Sequence, residues 1–245
     1  MSWCPQQRNF RSGFATPRRS PESRSGRLHF YSASHRWRRN NMKRYECLQN
    51  VAKSVGESVV VTNIGGVAVE WQHLHDTEST FYLWHSLGLA TSIAFGMALS
   101  WPERKHVVFE GDGSLLMNLG GLTTVAEKAP SNLVVLVFDN QAHESPGGYR
   151  TATAGTADLE VIARGAGFQN TATVRTLPEF ESAFGRAMDR DELSLLVAKV
   201  ETGTHNVPFP TMDARENKYR FVRWVERTRG VTIFEPPGHV TKMRE

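Results

Sequence analysis

Between Val107 and Ser145 the chain runs VVFEGDGSLLMNLGGLTTVAEKAPSNLVVLVFDNQAHES, and no other stretch constrains the fold as much. An apolar run, Val107 to Phe109, leads into Gly111-Asp112-Gly113. A helical segment follows, and a second apolar run, Leu133 to Phe138, ends in Asp139-Asn140. Two β-rich runs flanking a helix predict a right-handed βαβ unit with parallel strands. Both polar clusters then fall at the carboxyl ends of their strands, where open α/β sheets bind ligands. One carboxylate (Asp112), one amide oxygen (Asn140) and nearby backbone carbonyls make a hard oxygen set suited to Mg²⁺ holding a diphosphate. The glycines let backbone approach phosphate oxygens, and the next helix N-terminus adds N–H donors and a favourable dipole. Gly-Asp-Gly alone is an ordinary turn sequence, so the weight rests on its pairing with Asn140.

Charge divides the chain. Residues 1–41 hold nine arginines, no lysine and one acid, Glu22, a net of +8 against +4 for all 245 residues, which leaves the remainder at −4. The basic character therefore belongs to a Ser- and Arg-rich segment without apolar periodicity. We read 1–41 as a disordered extension or a targeting segment of the mitochondrial transit type, with a nucleic-acid arm less favoured. Met42-Lys43-Arg44 looks like the beginning of the folded body. No run reaches the ~18 apolar residues of a membrane span. Cys4 and Cys47 have no metal or disulfide spacing, so a reducing, cytoplasmic compartment is the expectation.

Along the body, helical spacing covers 44–55, with Gly56 as a stop, and Ser58 to Thr62 reads as a strand ending in Asn63-Ile64-Gly65-Gly66. A small-residue helix is expected from Leu89 to Leu99, ended by Pro102. The Gly- and Thr-rich stretch 142–156 suits a mobile segment over a site. Asp158 is placed to cap a helix that Gly167 closes, and Thr171 to Val174 reads as a strand. Thr176 and Glu179 have capping-box spacing, and Leu193 to Val200 reads as a buried parallel strand. We therefore expect one α/β domain over 42–201, a three-layer α/β/α sandwich around a mostly parallel sheet. Residues 202–245 read as a C-terminal extension with a helix near 215–229.

The pairing of Gly111-Asp112-Gly113 with Asp139-Asn140 resembles the thiamine diphosphate (ThDP) motif, in which GDG is followed, after a helix and a strand, by NN. From Met42 to about Val200 the chain resembles the diphosphate-binding (PP) domain of ThDP-dependent decarboxylases, most of all the β subunits of sulfopyruvate and phosphonopyruvate decarboxylase. Asn63-Ile64-Gly65-Gly66, Ser86-Leu87-Gly88-Leu89-Ala90 and Gly111 to Gly120 carry the rest of the likeness. The first Asn of the motif is Asp139 here; the metal-binding second one, Asn140, is kept.

The resemblance implies ThDP and Mg²⁺ as cofactors. Asp112, the Asn140 side chain and the Ala142 carbonyl would hold the metal. Gly111, Gly113 and Ser114, with Asn63, Gly65 and Gly66, would serve the diphosphate. Leu87 would lie beneath the bend of the cofactor, after Ser86, and the His85 carbonyl would accept from its amino group. Relatives commonly carry Gly at the position of His85. His143 and Glu144 stand where relatives place substrate-facing groups, and either is a candidate acid/base. The implied reaction is decarboxylation of a small anionic 2-oxo acid. The glutamate that activates ThDP comes from a second (PYR) domain in the family, so a separate α subunit and a hetero-oligomer are expected. Two other functions stand beside this: an acetolactate-synthase-like carboligase half, and a non-catalytic ThDP-binding subunit.

Overall fold

Leu133–Asp139 carries seven consecutive buried residues, the pattern of a strand covered on both faces. The computed structural model describes residues 42–145, 147–210 and 212–234. The expected extension 1–41 and the last residues of the C-terminal segment lie outside them. In chain order the first half comprises α1 (Arg44–Ser54), β1 (Val59–Thr62), α2 (Gly66–His75), β2 (Thr80–Tyr82), α3 (Ala90–Ser100) and β3 (His106–Gly111). Then come α4 (Asp112–Leu116), α5 (Gly120–Lys128), β4 (Leu133–Asp139), β5 (Ala142–His143) and β6 (Tyr149–Arg150). A 3₁₀ turn at Ala152–Ala154 precedes α6 (Leu159–Ala166), β7 (Asn170–Val174), α7 (Leu177–Asp189), β8 (Ser194–Lys199) and α8 (Ala214–Arg229).

Six strands form one sheet in the order β2-β1-β3-β4-β8-β7, every pairing parallel. Alternation along the strands sorts their side chains into two cores. Val60, Val107, Phe109, Leu136 and Phe138 face α1, α2 and α7, whose Leu48, Trp71 and Phe184 are buried against them. Val61, Val108, Val135 and Val137 face α3, α5, α6 and α8 through Ala94, Leu122, Leu159 and Phe221. Each such side chain contributes about 1.5–3 kcal/mol when fully buried. The expected three-layer α/β/α architecture is the one observed.

Local signals match as well. Asp158 accepts from the N–H groups of Glu160 and Val161, Gly167 closes α6 at φ +114°, and Thr176 with Glu179 forms a capping box. Three differences are informative. The helical segment after β3 is two helices, because Asn118 turns its amide to the Gly88 carbonyl (2.9 Å) and Gly120-Gly121 restart the chain. The stretch expected to be mobile is held down: β5 and β6 pair as a hairpin, and Thr151 and Thr153 are buried. Beyond residue 201, α8 adds Phe221 and Val225 to the core. Its Asn217 amide donates to Tyr82 O (2.8 Å) and accepts from Tyr82 N (3.4 Å), covering part of the open β2 edge.

Candidate functional site

From β1 the chain leaves to one side for β2 and returns on the other side as β3, so the two crossings diverge at the β1/β3 boundary. Such a switch point opens a crevice at the carboxyl ends of the strands. A cavity of about 530 Å³ lies there, within the range of small-molecule sites. Asn63, Gly65, Gly66, His85, Leu87, Gly111, Asp112, Gly113, Ser114, Asn140, Ala142, His143 and Glu144 all line it. Thus four loops far apart in sequence converge. Ser86 does not join them; its hydroxyl turns back to Trp84 O (3.2 Å).

Asp112 opens α4 and is 1% exposed. Its Oδ2 accepts from the hydroxyls of Thr151 and Thr153, the latter at 2.9 Å. Burial raises its carboxyl above the usual carboxylate range, the Thr151 bond opposes this, and the neighbouring Asp139 charge adds to the rise. A cation at the site would reverse that balance. Asn140 Oδ1 accepts from Ala142 N (3.0 Å), a tight turn that closes on the 140 side chain, and both residues line the cavity. Gln141 sits between them at φ +63°. Among the described residues no three His, Cys, Asp or Glu side chains gather. A cation would therefore rest on one carboxylate, one amide and a carbonyl, as the hard set requires.

The wall opposite is largely glycine backbone. Gly65, at φ +102°, precedes α2 and aims its N-terminus at the cavity. At Gly113 an added Cβ would run into the His143 ring, so a side chain there requires that ring to shift. Ser114 Oγ accepts from Gly88 N (2.9 Å), which ties the GDG turn to the Leu87 loop. Leu87 is 42% exposed, and His85 holds φ +55°. Two buried acceptors face the cavity without a protein partner, Asn63 Oδ1 and Glu110 Oε2. The donor set, the glycine cradle and these orphan oxygens fit ThDP with Mg²⁺.

Several lining residues were not foreseen. Glu110 interrupts an apolar strand, a signal that was available. It is fully buried, its carboxyl is raised by desolvation, and Oε1 accepts from the N–H (2.9 Å) and hydroxyl (3.0 Å) of Thr91 at the start of α3. Arg44 left no trace in the pattern. It grips buried Glu70 through Nε (2.7 Å) and Nη2 (3.2 Å) and reaches Glu144 at 3.4 Å. Glu144 also accepts from Gly203 N, so its carboxylate is engaged in holding the hairpin to the segment after β8. The His143 ring packs over Gly113 at the cavity wall.

An open parallel sheet with a cavity of glycine-rich turns, a buried carboxylate and an amide at its switch point defines a cofactor-binding α/β domain. The chain belongs to the thiamine pyrophosphate (the same cofactor) enzyme family, whose C-terminal TPP binding domain model matches residues 63–198. It is 36% identical over 190 residues to sulfopyruvate decarboxylase subunit beta of Methanocaldococcus jannaschii, covering 76% of this chain and 98% of that one. The phosphonopyruvate decarboxylase of Streptomyces viridochromogenes is 36% identical over 148 residues, 60% of this chain but 37% of that protein. Among solved structures, the benzoylformate decarboxylase of Polynucleobacter necessarius superposes with TM-score 0.59 at 19% identity. That match covers 78% of this chain and 37% of the other, and it bears on the fold alone.

Proposed function

We propose that the chain is the ThDP- and Mg²⁺-binding β subunit of a decarboxylase acting on a small anionic 2-oxo acid of the sulfopyruvate or phosphonopyruvate type. One observation carries the reading: the cavity gathers the cradle, the metal seat and Leu87 in a chain that is 36% identical to a sulfopyruvate decarboxylase β subunit over 98% of that subunit's length. Bound ThDP supplies the electron sink for loss of CO₂. The protein holds and shapes everything else. Asp112, Asn140 and the Ala142 carbonyl hold Mg²⁺, while the α2 N-terminus, Gly113 and Ser114 offer N–H groups to the diphosphate. Leu87 supports the bend of the cofactor, and Ile64, Val67 and Phe138 keep water from the wall. His143 is the group of this chain that would carry a proton at the reacting end.

The described residues form one α/β unit, and we place the activating glutamate on a PYR-domain α subunit, in keeping with the "subunit beta" relatives. The pair would be a hetero-oligomer with the cofactor at the interface. Half-exposed Leu87, Leu89 and Met117 beside the cavity support a partner there. Among the described residues no helix is long and apolar enough to cross a membrane. We propose a cytoplasmic location, or a mitochondrial one if 1–41 acts as a transit peptide. The test is CO₂ release from sulfopyruvate and phosphonopyruvate with ThDP and Mg²⁺, with and without the co-purifying subunit. Turnover only with the partner is expected. Full turnover by a homomer of this chain would contradict the reading.

A further inference from the structure

Leu87 reaches the cavity on a short loop that its own half-exposed side chain does little to hold. The loop runs straight into α3, whose N-cap residue, Leu89, offers no side-chain acceptor to the N–H groups of the first turn. Glu110, fully buried near the end of β3, supplies the acceptor from outside the helix. Its Oε1 accepts from Thr91 N (2.9 Å) and from the Thr91 hydroxyl (3.0 Å). Thr91 is the second residue of α3, the place where a helix cap normally bonds. Two further side chains grip the loop one residue after Leu87. Ser114 Oγ accepts from Gly88 N (2.9 Å), and Asn118 Nδ2 donates to Gly88 O (2.9 Å). Gly88 holds φ +82°, and a Cβ there would press on Asn118 and Met117 at 3.2 and 3.3 Å. The place of Leu87 is thus set by the segment that also carries Asp112.

We propose that Glu110 is a positioning residue: it caps α3 in place of Leu89 and so fixes Leu87 relative to Asp112. The inference rests on the ThDP reading above, in which Leu87 supports the bend of the cofactor and Asp112 its metal. The role needs an acceptor oxygen at Oε1, not a charge. Without that acceptor the diphosphate end of the site stays intact, while the loop under the bend loosens. Cofactor is then held but poorly aligned.

The test uses the full chain with its co-purified partner and compares Glu110→Gln, which keeps Oε1, with Glu110→Leu, which does not. Hydrogen–deuterium exchange over 86–92, read without cofactor, reports the loop itself. Glu110→Leu is expected to speed exchange at Thr91 about tenfold or more, because a buried donor is left unsatisfied. Glu110→Gln should stay near wild type. With ThDP and Mg²⁺, Glu110→Leu should keep close to wild-type calorimetric affinity for the cofactor while kcat falls about tenfold to a hundredfold. Glu110→Gln should restore kcat. Thr91→Val removes only the hydroxyl bond; it should give smaller changes in the same direction, and it carries the test if Glu110→Leu does not fold. Unchanged exchange in the loop overturns the proposal, as does exchange that rises equally throughout the sheet. A Glu110→Gln variant that loses turnover with its loop still protected also overturns it, since the second oxygen would then act directly. Wild-type protein that takes up no ThDP would strike the cofactor reading, and the exchange result would still decide whether Glu110 holds the loop.

Discussion

His85, which lines the cavity, and Gln141, between the lining residues Asn140 and Ala142, hold left-handed backbone at φ +55° and +63°. For a residue with a Cβ this conformation costs about 1–2 kcal/mol. Strain of that kind persists where the surroundings over-determine it. At 85 the turn needs a conformation that glycine adopts freely, and the proposed role uses the carbonyl, not the side chain. His85→Gly is therefore expected to keep Mg²⁺-dependent ThDP binding, with a melting temperature equal to or above wild type. His85→Val should lose about 1–2 kcal/mol, since a β-branched residue fits that region worst. Thermal melts with calorimetric ThDP titration read both. Lost cofactor affinity in the glycine variant would show that the imidazole itself is used.

At the scale of the element, β3 joins two environments. Its far end begins at His106, fully buried, whose Nδ1 meets Arg104 O at 2.8 Å. Burial pushes this imidazole down to about 4. A folded-state value below the unfolded ~6.5 means the unfolded chain binds more protons between pH 6.5 and 4. The stability His106 contributes is thus present above pH 6.5 and is lost as pH falls toward 4, by up to about 3 kcal/mol. Urea midpoints across this window should fall steeply for wild type and less for His106→Asn. Equal slopes would remove His106 as the cause.

The same scale shows what the sequence could and could not reveal. Strands β3, β4 and β8 were legible because parallel strands buried on both faces need unbroken apolar runs. Asp158, Thr176 and Gly167 were legible because caps have fixed chemistry. The break between α4 and α5 was not, since it depends on Asn118 finding Gly88, 30 residues away. Thr151 and Thr153 were read as part of a mobile loop because their partners, Asp112 and Asp139, are brought to them only by the fold. Arg44 was invisible for a like reason. A buried cation looks like any surface cation until its carboxylate is known.

For the whole molecule, the central claim is that divergence of the chain at β1 and β3 builds a seat in which Mg²⁺ and ThDP bind as one ligand. Residues from four loops meet there, and in this reading one of the lining carboxylates, Asp112, carries the charge that a hard cation requires. Diphosphate affinity should then depend on the metal, and the metal on that one side chain. Calorimetric titration of ThDP, with the partner subunit present, measures this directly when done with Mg²⁺, with chelator, and with Asp112→Ala. The account predicts saturable binding to wild type with Mg²⁺, and loss of binding both in chelator and in the variant. Undiminished affinity of Asp112→Ala for ThDP would contradict it.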